Sequence, residues 1–151
     1  MIIFKSKLSK KEKAEVKSLI YEMKDPFGDF YITKNNLRLF ISENVDIMID
    51  CLDKGDYVAY SDKGIAFVVG FSDKANRKYL KILTKEITEV DKLLKVISWN
   101  LDCDLYVKIK KNNPLKSELL KNGFTFLGGR GRETLLIRKA RTNVGRDQKK
   151  S

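Results

Sequence analysis

The period of the apolar residues switches repeatedly along the chain, and the order of those switches restricts the fold most. Met1-Ile2-Ile3-Phe4 opens as a short β-branched strand. Ser9-Lys10-Lys11-Glu12 has the form of a capping box. Val16, Leu19, Ile20 and Met23 follow at helical spacing. Asp25-Pro26 ends that helix, because a residue before proline avoids the α region. An aromatic-rich connection leads to a second helix over about residues 35–54, with Leu37, Phe40, Ile41, Val45, Met48, Ile49 and Leu52 apolar and Gly55 as its stop. Three strand-like runs come next: Tyr57–Tyr60, Ile65–Phe71 and Lys78–Leu83, separated by polar turns. A third helix, about residues 88–100, carries Val90, Leu94 and Ile97 behind Thr88 as its cap. Asp104–Ile109 is a strand, and Asn113-Pro114 opens a fourth helix with proline at its favoured first position. Gly123-Phe124 closes that helix in a Schellman pattern that sets Phe124 against Leu119. A last hairpin turns around Gly128-Gly129-Arg130-Gly131-Arg132.

The order is therefore β-α-α-β-β-β-α-β-α-β-β. A hairpin series that feeds a β-α-β crossover gives an α/β fold with a mixed, mostly antiparallel sheet and helices on both faces. With 151 residues, one domain over residues 1–138 is expected, followed by a flexible basic tail over residues 139–151.

Composition narrows the chemistry. Thirty-one Lys and Arg against twenty Asp and Glu give a net charge of +11, which favours polyanionic neighbours. The chain has no histidine, which removes histidine nucleophile relays, histidine bases and histidine metal sites. Its two cysteines, Cys51 and Cys103, are far apart in sequence and read as reduced core thiols; no metal site is expected. No apolar run has the length of a signal peptide or a membrane span, so a cytoplasmic protein with no membrane partner is expected.

Three local features add to the order of elements: Val69-Gly70-Phe71 at the end of a strand, Asn112-Asn113-Pro114 after the strand that follows the crossover, and Leu119-Leu120-Lys121-Asn122-Gly123-Phe124 at a helix end. Together they resemble the GNAT N-acetyltransferase superfamily over about residues 1–138. The composition also resembles small phage proteins of AT-rich genomes, which would place the chain in a bacterial host cell. The resemblance implies acyl transfer from acetyl-CoA to an amine. It places the main chain of Leu83 and Thr84 beside the pantetheine arm, Lys85 and Thr88 near the pyrophosphate, and Asn112 and Asn113 near the acetyl end.

The sequence departs from that pattern in three places. Where the family carries a glycine-rich phosphate loop, this chain reads Leu83-Thr84-Lys85-Glu86-Ile87-Thr88-Glu89-Val90-Asp91, with no glycine and three acids at the start of a helix. Those acids complement the helix dipole and repel phosphate. Leu119 occupies the position of the tyrosine that protonates the departing thiolate; Tyr106 is the substitute candidate. The strand that often carries a basic glutamate has none, which leaves Asp25 and Asp29 as candidate bases. The alternative is a non-catalytic basic protein of the same fold, acting in assembly or binding nucleic acid through Arg130 and Arg132 of the glycine-rich turn and Lys139, Arg141, Arg146, Lys149 and Lys150 of the tail. The amine acceptor and the oligomeric state are not specified by any motif.

Overall fold

The computed structural model describes residues 1–23, 30–34, 37–52, 55–70 and 77–141. Its elements are β1 (Ile3–Lys5), α1 (Lys10–Glu22), β2 (Tyr31–Lys34), β3 (Leu37–Phe40), α2 (Ile41–Asp50), β4 (Tyr57–Ser61), β5 (Gly64–Gly70), β6 (Lys78–Thr84), α3 (Glu89–Asn100), β7 (Leu105–Lys110), α4 (Leu115–Lys121), β8 (Thr125–Arg130) and β9 (Glu133–Arg138). Seven strands form one sheet in the order β1-β4-β5-β6-β7-β9-β8, and β2 pairs with β3 as a separate hairpin. All neighbours in the large sheet are antiparallel except β6 and β7. That single parallel pair is joined by the α3 crossover, as a parallel connection requires.

Both faces of the sheet are covered, so β4 and β5 read as nearly continuous apolar runs while alternate side chains serve different cores. Val58, Tyr60, Ile65, Phe67 and Val69 pack with Val16 and Ile20 of α1, Met48 and Ile49 of α2, and Ile32 and Leu39 of the hairpin. Ala59, Ala66 and Val68 face the other way, toward Val90, Leu93, Leu94 and Ile97 of α3 and Leu119 of α4. None of the described helices is long and apolar enough to cross a membrane.

The local signals work where backbone chemistry is specific. Ser9 and Glu12 close the capping box reciprocally, the Ser9 amide donating to Glu12 at 2.9 Å and the Glu12 amide to the Ser9 hydroxyl at 3.1 Å. At the end of α4, Gly123 sits at φ 89°, and the Phe124 and Gly123 amides donate to the Leu119 and Leu120 carbonyls, which is the Schellman pattern.

Two expectations are corrected. The second helix does not begin near residue 35. Leu37–Phe40 is a strand paired with Tyr31–Lys34, and α2 starts only at Ile41, which adds two short strands to the expected order. The spacing of Leu37, Phe40 and Ile41 suits a helix equally well, but pairing with a β-prone Tyr-Ile-Thr run decides it. Thr88 is also not a side-chain cap: its backbone is already helical, at φ −64° and ψ −22°, and its hydroxyl caps nothing.

Candidate active site

The strands β6 and β7 pair at only two positions, Lys78 with Leu105 and Tyr79 with Tyr106. Beyond them β6 stays bound to β5 as far as Thr84, and β7 stays bound to β9 as far as Lys110. Each strand is thus held by its outer neighbour while the inner edges part. The cleft between them is lined by Leu80, Lys81 and Ile82 on one side and Val107, Lys108 and Ile109 on the other, with Phe30, Leu115 and Leu119 filling it to a residual volume of about 20 Å³. Asn113 stands at its end, buried, its side-chain oxygen accepting from the Leu115 amide at 3.0 Å. Asn112 is exposed on the preceding turn.

The start of α3 offers backbone donors to a ligand. Among the described residues, the amides of Glu86, Ile87 and Thr88 donate to no backbone carbonyl, whereas those of Glu89 and Val90 reach back to Glu86 and Ile87. Amides at a helix start that no backbone carbonyl accepts from are donors of the kind that bind anions. The side chains around them temper it. The Lys85 amide donates to the Lys63 carbonyl at 2.8 Å, and its ammonium pairs with Glu22 of α1. Glu89 is buried on the first turn and accepts from the Ser61 hydroxyl at 2.9 Å, so a carboxylate already answers the dipole. A phosphate held by these amides would have no glycine cradle and would meet the charge of Glu86, Glu89 and Asp91.

A cavity of about 140 Å³ adjoins the cleft under the β2–β3 hairpin. Strand alternation builds it: Tyr79 and Lys81 of β6 and Lys108 of β7 share one face, opposite the Leu80, Ile82, Val107 and Ile109 face that enters the α3–α4 core. Tyr31 and Arg38 descend from the hairpin. The Lys81 ammonium lies 4.1 Å from the centre of the Tyr31 ring and the Arg38 guanidinium 5.0 Å from it. The Tyr31 hydroxyl donates to Glu133 at 3.4 Å, which ties the hairpin to β9. The Lys108 ammonium lies 5.7 Å from the Tyr79 ring. Tyr106 is half-buried on β7, 5.7 Å from Tyr79 and beneath the Arg77 guanidinium.

The sequence-derived candidates scatter around this centre. Leu83 is buried toward α1 and α2 and Thr84 ends β6 opposite Gly64, so both stand between the cleft and the amides of 86–88. Leu119 is fully buried in the α3–α4 core and presents no proton donor. Asp25 and Asp29 lie outside the described residues, as do Arg146, Lys149 and Lys150. Arg130 and Arg132 are exposed on the last hairpin and line neither the cleft nor the cavity. Lys139 and Arg141 are docked, not free: Lys139 lies 3.9 Å from Asp104 and Arg141 4.0 Å from Asp102. The sequence reading missed Tyr31, Arg38, Tyr79, Lys81 and Lys108. The period-2 pairs Tyr79-x-Lys81 and Tyr106-x-Lys108 were the available signal; Arg38 was hidden by the helix expected over about residues 35–54, and Tyr31 by the connection expected before it.

Sequence comparison finds no matching family model and no matching curated relative. Structural comparison finds many matches. An N-acetyltransferase from Staphylococcus aureus superposes with a TM-score of 0.62 at 18% identity, over 92% of this chain and 97% of that one. An acetyltransferase from Thermus thermophilus gives 0.63 at 14% identity, over 91% and 96%. A GNAT-superfamily phosphinothricin acetyltransferase from Sinorhizobium meliloti, solved with acetyl-CoA, gives 0.59 at 14% identity, over 92% and 88%. The chain has the GNAT N-acetyltransferase fold, as its sequence features implied.

Proposed function

We propose that the chain is an acyl-CoA-dependent N-acyltransferase with a degenerate phosphate loop. One observation carries this reading: the opening between β6 and β7 and the cavity under the hairpin share Lys81 and Lys108. A thioester arm in the first and an amine in the second would meet at those two side chains. When bound, the cofactor supplies an acyl thioester. The chain's part is to hold it by the main chain of residues 80–84 and by the amides of Glu86, Ile87 and Thr88, with Asn112 and Asn113 toward the acyl end. Past Tyr79 the facing edges of β6 and β7 do not pair with each other, and a pantetheine amide would take its backbone bonds between them. Because the cleft is nearly filled, binding must displace Phe30 or spread the strands, and the acids at the α3 start weaken the phosphate contact. Tyr106 is the proposed proton donor, and Asp29 the proposed base.

Thermal unfolding with acetyl-CoA tests the reading. A ligand at one hundred times its Kd stabilises the native state by about 2.7 kcal/mol, a shift of several degrees for a chain of this size. No shift at millimolar acetyl-CoA would sink the proposal.

A second reading is favoured by a separate cluster: Lys111, Arg130 and Arg132 gather at the exposed β8–β9 turn, where the Lys111 amide donates to the Arg132 carbonyl at 2.8 Å. In it the fold binds a nucleic acid backbone through that tip and the tail. Duplex binding that falls steeply with salt, with a shallower slope in the Arg130→Gln, Arg132→Gln double variant, is its expected signature. Absence of binding at low salt removes it.

A further inference from the structure

We propose that the outer edge of β8 is a docking site for an acidic partner protein, which adds an extended, carboxylate-bearing segment to the seven-stranded sheet. The inference stands apart from the acyltransferase reading and does not need acetyl-CoA to bind.

Among the described residues the sheet ends in β8, which pairs with β9 alone. An edge strand presents N–H and C=O groups along its outer side, where a further strand can add. The opposite edge, β1, has only three residues, whereas β8 has six. A bulge at Leu127 interrupts β8, and pairing resumes from Gly128 to Arg130. Gly128 has neither a left-handed backbone nor a crowded place: nothing lies within 4 Å of where its Cβ would be. The fold itself gives no reason for glycine there, and glycine inside a strand marks sites where another backbone comes close. Phe126 is 63% exposed and Leu127 52%, which gives the edge apolar side chains for a partner to cover.

Charge selects the partner. Lys111, Arg130 and Arg132 are exposed at the far end of the strand, and none has an ion pair among the described residues. The Lys111 Cε and the Phe126 ring come within 3.7 Å and 3.9 Å of the point where a Gly129 Cβ would sit, so a cation and an apolar ring share one face of the edge. By contrast, Lys5, Lys17, Lys63, Lys85, Lys92 and Lys95 each stand within 4.0 Å of a carboxylate. The acids on the neighbouring elements are engaged, Glu118 by Lys121 and Glu133 by the Tyr31 hydroxyl. A carboxylate from outside would form the charge-assisted bonds that these three side chains lack. A second copy of the chain would instead bring like charges to the junction. A nucleic acid backbone would meet the cations but would not extend the sheet.

Binding of labelled peptides to the full chain, followed by fluorescence anisotropy at low salt, tests this. The probe alternates Glu and Val over about eight residues, enough to span the six of β8. One control has Lys in place of each Glu. The other keeps the sequence and charge but carries an N-methyl group on every amide, which removes its backbone donors. The expected result is binding of the Glu peptide, about tenfold or more weaker binding of its N-methylated form, and none of the Lys peptide. Phe126→Ser, and separately Arg130→Gln with Arg132→Gln, all at exposed positions, should each weaken the Glu peptide several-fold. Failure of the Glu peptide to bind at millimolar concentration overturns the proposal. Equal binding of the N-methylated form does so too, since it means adhesion by charge alone, as does unchanged binding by both variants, which places the peptide elsewhere. Single-stranded DNA is titrated in competition. If it binds about tenfold tighter than the Glu peptide and displaces it, the edge belongs to a nucleic acid and the acidic-protein proposal falls.

Discussion

Glu12 shows how one side chain can set the acid response of a helix. The Lys5 ammonium, 2.7 Å away, and then the Ser9 amide hold its carboxyl down from 4.5 to about 2. A carboxyl depressed on folding stabilises the native state above its unfolded value, and that contribution is lost as pH falls through its folded value. The urea midpoint should therefore drop between about pH 5 and pH 2, and Glu12→Gln, which cannot titrate, should lack that part of the drop. Gly123 is constrained by conformation instead. At φ 89° an added Cβ is strained and meets Arg138 at 3.4 Å, so Gly123→Ala should cost about 1–2 kcal/mol in chemical denaturation. Both residues were legible in the sequence, because capping boxes and Schellman glycines work through main-chain bonds to near neighbours. Lys81 was not: a lysine in a strand reads as solvated until the hairpin that covers it is placed.

That hairpin marks the boundary of what a local pattern can settle. Leu37, Phe40 and Ile41 fit a helical period, while Leu37 at 63% exposed and Leu39 at 7% fit a strand with one buried face. Cross-strand partners, Tyr31 with Phe40 and Ile32 with Leu39, decide between them, and partners are not visible in a window of one element. The long β4–β5–β6 meander was legible because its apolar runs are continuous and polar residues separate them. The divergence of β6 from β7 was not legible, since nothing in either strand's own residues says where pairing stops. Ile32, which is 1% exposed among α1, α2 and β5 side chains, helps to hold the hairpin to the sheet. Ile32→Ala should cost about 2–5 kcal/mol in urea denaturation, as for other buried aliphatic truncations. An unchanged urea midpoint would show that the hairpin does not depend on Ile32 for its place on the sheet.

At the scale of the molecule, the net charge of +11 is partitioned by the fold. The sequence alone put the end of the folded part at Arg138, but the next three residues are bound. Ala140 is buried and its amide donates to Asp104 at 2.7 Å; the Arg141 amide donates to Asp102 at 2.7 Å, and its guanidinium to the Ser98 carbonyl at 2.8 Å. These bonds stitch the chain after β9 onto the end of α3 and the start of β7. No periodicity in three residues could announce them, because their acceptors lie about forty positions earlier. Two of the tail's five basic residues, Lys139 and Arg141, therefore answer Asp104 and Asp102 and are not a free polycation. A chain ended at Arg141 keeps these contacts, and one ended at Arg138 loses them and leaves both carboxylates without those donors. The shorter chain should be less stable than the longer by about 1–3 kcal/mol, the scale of losing a few partly exposed bonds to charged groups. Paired urea denaturation curves of the two truncations measure this directly. Equal midpoints would return the boundary to Arg138 and restore Lys139 and Arg141 to the basic tail.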